Sequence, residues 1–227
     1  MTNKWKARLA VCLLAVVTGA GCNPILLLGH LINNEDNKLK ADFPLKPLPT
    51  REKEEVRVLV LTSSPPSDSP EMVGIDRLLA AEIIPLLERR CLENKEKVVV
   101  KKLKLIDDFK RENPNWRSMK PYEIGKQFDA DYVIDIEVLS INLFEPGTYR
   151  RLMRGRAQVS VAAYDMSKPL PDPVYNTEFN DVYPGAAEVS VDDEPYSTFR
   201  QKFVKHLAAR LVLPFSAHSS RQKINLD

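Results

Sequence analysis

Apolar and polar positions change their period several times along this chain, and each change marks an element. Val56, Val58 and Val60 alternate with Arg57, Leu59 and Leu61, a β-branched run that predicts a buried strand over 56–62. The turn-rich SSPPSDSP (63–70) closes it. From Met72 to Cys91, Ile75, Leu78, Leu79, Ile83, Leu86, Leu87 and Cys91 recur at three and four, the spacing of an amphipathic helix, with a kink expected at Pro85. KVVVKKLKL (97–105) reads as a second strand, and after ENPNW, Pro121 opens a short helix through Phe128. DYVIDIEVLSINL (131–143) is the clearest strand, with Ile134, Ile136 and Val138 on one face and Asp135 and Glu137 on the other. The alternation returns over 154–165, a third neighbour follows at 174–183, and Phe199, Phe203, Leu207 and Leu211 stripe a last helix over 196–213, ended by Pro214.

This order implies an α/β (α+β) fold. The first strand–helix–strand favours a parallel crossover, and the later strands with short connections favour antiparallel pairing. The expectation is a mixed sheet of about five strands with three helices packed against it. A domain over 56–216 buries roughly two-thirds of its unfolded surface, enough for a core of its own.

The first 21 residues follow another pattern. Lys4, Lys6 and Arg8 precede an uncharged stretch, LAVCLLAVVTGAG (9–21), that ends in small residues just before Cys22. That is the order of an export signal. With cysteine at the cut site it resembles the lipobox of bacterial lipoproteins, whose cysteine receives the lipid, palmitate included, and becomes the first mature residue. Gly19 stands where leucine is usual. An uncleaved span over 9–32 is the alternative, interrupted by Asn23-Pro24; 9–21 alone falls short of the ~20 residues a crossing needs. Either way the body of the protein faces the periplasm or exterior of a bacterial envelope. Residues 22–55 read as a tether, because 33–55 combine Pro44, Pro47 and Pro49 with dense mixed charge. Residues 217–227 read as a polar tail.

Charge and cysteine content exclude some functions. The formal charge of +2 falls to −1 once Lys4, Lys6 and Arg8 leave with the leader, so no broad basic footprint for nucleic acid remains. Of three cysteines only Cys91 lies in the domain, so no internal disulfide is expected. No GxSxG, HExxH, phosphate-binding or dinucleotide-binding pattern occurs, and neither a metal nor a cofactor is expected.

The candidate chemistry is sparse. Asp135 and Glu137 share a strand face about 7 Å apart, a separation that suits paired carboxylates acting on a glycan, although alternating charge on a half-exposed strand explains them as well. Arg150, Arg151, Arg154 and Arg156 form the one basic cluster, suited to an anion, a lipid headgroup or an acidic partner, or to a solvated loop. Asp192, Asp193 and Glu194 lead into the last helix and complement its dipole. His206 reads as a helix-surface histidine. The 63–70 loop lies where α/β sheets often face a ligand crevice.

The lipobox-like Cys22, VRVLVLT, LLAAEIIPLL, DADYVIDIEVLSI, VAAYD and FVKHLAARL occur in the order seen in a group of envelope lipoproteins. Over 54–215 the chain resembles the domain shared by the Tol translocation protein's amino-terminal part, the curli-secretion lipoprotein and the lipoprotein activators of penicillin-binding proteins. The resemblance implies an adaptor or assembly component that binds other envelope proteins without catalysis; self-association stays open. The long helices of the curli pore are not evident, and no binding residue carries over. The other readings are a glycan-acting enzyme using Asp135 and Glu137, and a purely structural membrane tether.

Overall fold

The computed structural model describes residues 38–47, 55–168 and 172–219. Cys22, the 9–32 stretch and most of the tether lie outside them. The chain divides into Met1–Lys38 and Leu39–Asp227, and the architecture below is that of the second unit. It is a mixed α/β fold.

Strands β1 (Val56–Ser63), β2 (Val98–Val100), β3 (Tyr132–Phe144), β4 (Leu152–Asp165) and β5 (Tyr175–Tyr183) form one sheet in the order β2-β1-β3-β4-β5, and β6 (Val189–Ser190) adds to the free end of β4. β1 pairs in parallel with β2 and β3, whereas β3, β4 and β5 run antiparallel, as the expected crossover and short connections require. Four α-helices occur among the described residues: α1 (Ile75–Glu93), α2 (Leu103–Glu112), α3 (Pro121–Gln127) and α4 (Tyr196–Val212).

The fourth helix is a correction. The strand expected over 97–105 stops at Val100, where the Lys101 amide makes a last bond to the Val58 carbonyl. Beyond it the buried positions Ile106 and Phe109 fall three apart, with Leu103 half-buried on the same side. That is a helical period, so Leu103 and Leu105 belong to α2 and not to an alternating strand. α1 begins three residues later than expected, after Gly74 takes the left-handed conformation at φ 65°. His218, expected in the polar tail, is buried.

The core lies between the sheet and α1 with α4. Ile134, Ile136 and Val138 of β3 face that layer beside Ala163, Val161 and Val159 of β4. A bulge between Val138 and Ser140 inserts one residue, which keeps Ile141 and Leu143 on the buried side. Phe203 of α4 sits over Gly155, where a Cβ would lie 2.3 Å from its ring. The opposite face is covered at one end only. There α3 approaches so closely that a Cβ on Gly125 would meet Val133 Cγ2 at 2.4 Å. Beyond α3 that face carries Glu137, Ser160, Gln158 and Arg156, which are exposed or half-buried.

Candidate functional site

The end of α3 leaves a cleft of about 370 Å³ where the carboxyl end of β1 lies beside the amino-terminal half of β3. Parallel pairing places Leu61 beside Asp135 and Ser63 beside Glu137. The chain leaves β1 as Ser64-Pro65-Pro66, and these residues form one wall. Two adjacent prolines fix that wall's backbone. Met119 and Ile124 form the second wall, with Trp116 from a 3₁₀ turn over Trp116–Ser118. The structure thus joins two features the sequence offered separately, the 63–70 loop and the carboxylate pair. Trp116 and Met119 carry no pattern that marks them in advance.

The two carboxylates differ. Asp135 is largely withdrawn from water; burial first, and Glu137 second, push its pKa up to about 6, while Lys110 pulls the other way. Glu137 is exposed. Lys110 is already engaged: its Nζ donates to the Thr62 carbonyl at 2.7 Å and stands 4.4 Å from the centre of the Trp116 ring. Burial lowers the Lys110 pKa, against the pull of Asp76 and Asp107. Arg117 covers the same indole at 5.3 Å. The cleft therefore offers a carboxyl that titrates near pH 6, an exposed carboxylate, two serines and an apolar floor. Among the described residues no three His, Cys, Asp or Glu side chains gather closely enough to hold a metal ion.

The arginines expected to bind a partner mostly meet acids of this chain. Arg150 Nη2 lies 2.8 Å from Glu71 Oε1, and its guanidinium covers the Phe144 ring at 4.2 Å. Arg154 pairs with Glu188 at 2.9 Å, and Arg156 with Glu145 at 2.6 Å. Arg151 is exposed. Of the acidic run before α4, Glu194 pairs with Lys202 at 2.9 Å.

His206 is not the surface residue expected. Its side chain is 9% exposed, with Nε2 3.0 Å from Asp181 Oδ2 of β5, and Arg210 Nε is 3.4 Å from the other oxygen. Cys91 is buried, and burial together with Glu96 and Glu88 raises its thiol to about 12, so it is inert. Among the described residues no helix is long and apolar enough to cross a membrane.

No family model and no curated protein matches the chain. Solved structures similar to it include lipoprotein GNA1162 from Neisseria meningitidis, 13% identical with a TM-score of 0.42 over 69% of this chain and 97% of that one. The PelC dodecamer from Paraburkholderia phytofirmans is 10% identical with a TM-score of 0.43, over 80% and 96%. A DUF330 protein from Xanthomonas campestris is 11% identical with a TM-score of 0.42, over 76% and 90%.

Proposed function

We propose that this chain is a lipid-anchored adaptor of the bacterial envelope, attached through Cys22, which binds another envelope component without catalysing a reaction. The observation that carries the reading is the cleft between the carboxyl end of β1 and the amino-terminal half of β3, a recess built from three separate segments with a stiff proline wall. The export-type leader and the resemblance to the Tol, curli-secretion and penicillin-binding-protein-activator domains support it. The test is a photo-crosslinking residue at position 64 in cells, with position 104 on the exposed side of α2 as control, combined with palmitate labelling of wild type and Cys22→Ala. Label lost in Cys22→Ala and an envelope adduct specific to position 64 are expected. Label in neither chain, or equal adducts from both positions, would sink the proposal.

A second reading, an enzyme acting on envelope glycans, draws on one observation: Asp135 has the raised pKa of a general acid and Glu137 lies two residues along the same face. Hydrolysis of glycan fragments that disappears in both Asp135→Asn and Glu137→Gln would put this reading first.

A further inference from the structure

The two edges of the sheet are built differently. β2 has only three residues and is flanked by Lys97, Lys101 and Lys102. Short length and lysines are the usual means of keeping an edge from pairing. β5 has nine residues and no lysine or proline within it. Residues 155, 157, 159, 161 and 163 of β4 direct their backbone groups toward β5, as the Val191 amide to Arg151 carbonyl bond sets their parity. The amides and carbonyls of Asn176, Glu178, Asn180 and Val182 therefore point away from β4. No backbone partner for them is found among the described residues.

The centre of this edge is Phe179, and its two ends match. YNTEFNDVY has tyrosines at both ends and phenylalanine at its centre. We infer that β5 is a self-association surface, pairing antiparallel with β5 of a second copy about a two-fold axis at Phe179. In that register Glu178 meets Asn180 of the other copy and Asn176 meets Val182, and these four outward residues exchange backbone bonds in narrow pairs. On the other face Phe179 meets Phe179, Thr177 meets Asp181, and Tyr175 meets Tyr183, aromatic pairs of the kind that stabilise sheets. No two like charges stand opposite. An axis at Glu178 or Asp181 would oppose two carboxylates, and only the axis at Phe179 engages all nine residues. The two sheets would join with their helical layers on the same side, as a perpendicular axis requires.

Asn180 is exposed, so its substitution separates pairing from folding. Asn180→Glu would set the introduced carboxylate against Glu178 twice across the axis, whereas Asn180→Lys would set an ammonium against the same acid. The measurement is sedimentation equilibrium of the full chain in density-matched detergent. A wild-type dimer is expected, weakened at least about tenfold by Asn180→Glu and tightened several-fold by Asn180→Lys. A wild type that stays monomeric to about 100 µM, or variants that do not move in opposite directions, would overturn the inference.

Discussion

His206 on α4 lies 3.0 Å from Asp181 on β5, 25 residues earlier in the chain, and both side chains are almost wholly buried. Arg210, one turn further along α4, takes the second carboxylate oxygen at 3.4 Å. Two basic side chains from a helix thus close over one acid of the outermost long strand, and the Tyr183 ring packs on the imidazole at 4.8 Å. This contact adds a polar pin to β5, whose Tyr175, Phe179 and Tyr183 also pack on the core.

Asp181→Asn should therefore destabilise the fold by about 1–3 kcal/mol, because it removes the carboxylate that His206 Nε2 and Arg210 Nε approach at a nearly buried position. Urea denaturation reads this as a lower midpoint at unchanged slope. A midpoint equal to that of wild type would show that the cluster contributes nothing to stability.

Gly155→Ala should cost about 1–3 kcal/mol, since the added methyl would fall 2.3 Å from the Phe203 ring. The clash predicts non-additivity. Phe203→Leu alone loses packing, but in combination it makes room, so the double variant should be less destabilised than the sum of the singles. Strict additivity in thermal denaturation would place the cost of Gly155→Ala elsewhere.

Most of the fold was legible because its strands alternate cleanly. Ile134-Asp135-Ile136-Glu137-Val138 states both the strand and its buried face, and the Phe199–Leu211 stripe states α4. The failure at α2 has a local cause: Val98, Val100, Leu103 and Leu105 keep an apparent apolar rhythm through two lysines, and the helical period shows only when Ile106 and Phe109 are counted. His206 and Asp181 could not be matched, since each looks ordinary on its own element and only the β5–α4 packing joins them. The candidate site was half legible. Its loop and carboxylates lie on recognisable elements, but their union depends on parallel pairing of β1 with β3, and Trp116 enters from a 3₁₀ turn with no periodicity.

Asp135→Asn should stabilise the protein at pH 7 by up to about 3 kcal/mol, the equivalent of raising a carboxyl from 3.8 to about 6. The folded state holds its proton more tightly than the unfolded state, so wild-type stability falls as pH rises from about 4 to 6. The advantage of Asn should therefore vanish near pH 4 and be complete above pH 6. A gain independent of pH would mean that Asp135 is not buried as an acid.

Arg150 and Glu71 predict the opposite slope. Burial raises the Glu71 pKa, but the Ser69 hydroxyl at 2.6 Å, its own backbone amide and the Arg150 guanidinium outweigh it, and the carboxyl ends below its ordinary value. Stability from such a group is present above the unfolded value near 4.5 and is lost as pH falls through the lower folded value. Arg150→Met removes the guanidinium that ties the β3–β4 connection to the segment before α1. Because Arg150 is 60% exposed, the pair is screened and the cost at pH 7 should be only about 1 kcal/mol. That cost should shrink only below about pH 4.5, as Glu71 becomes protonated in both proteins, at lower pH than most of the loss of the Asp135→Asn effect. Stability profiles of the two variants from pH 3 to 7 would thus converge on wild type from opposite sides, Asp135→Asn from above and Arg150→Met from below. A Glu71 that owes its low pKa to Ser69 and the backbone alone would leave the Arg150→Met difference flat across that range.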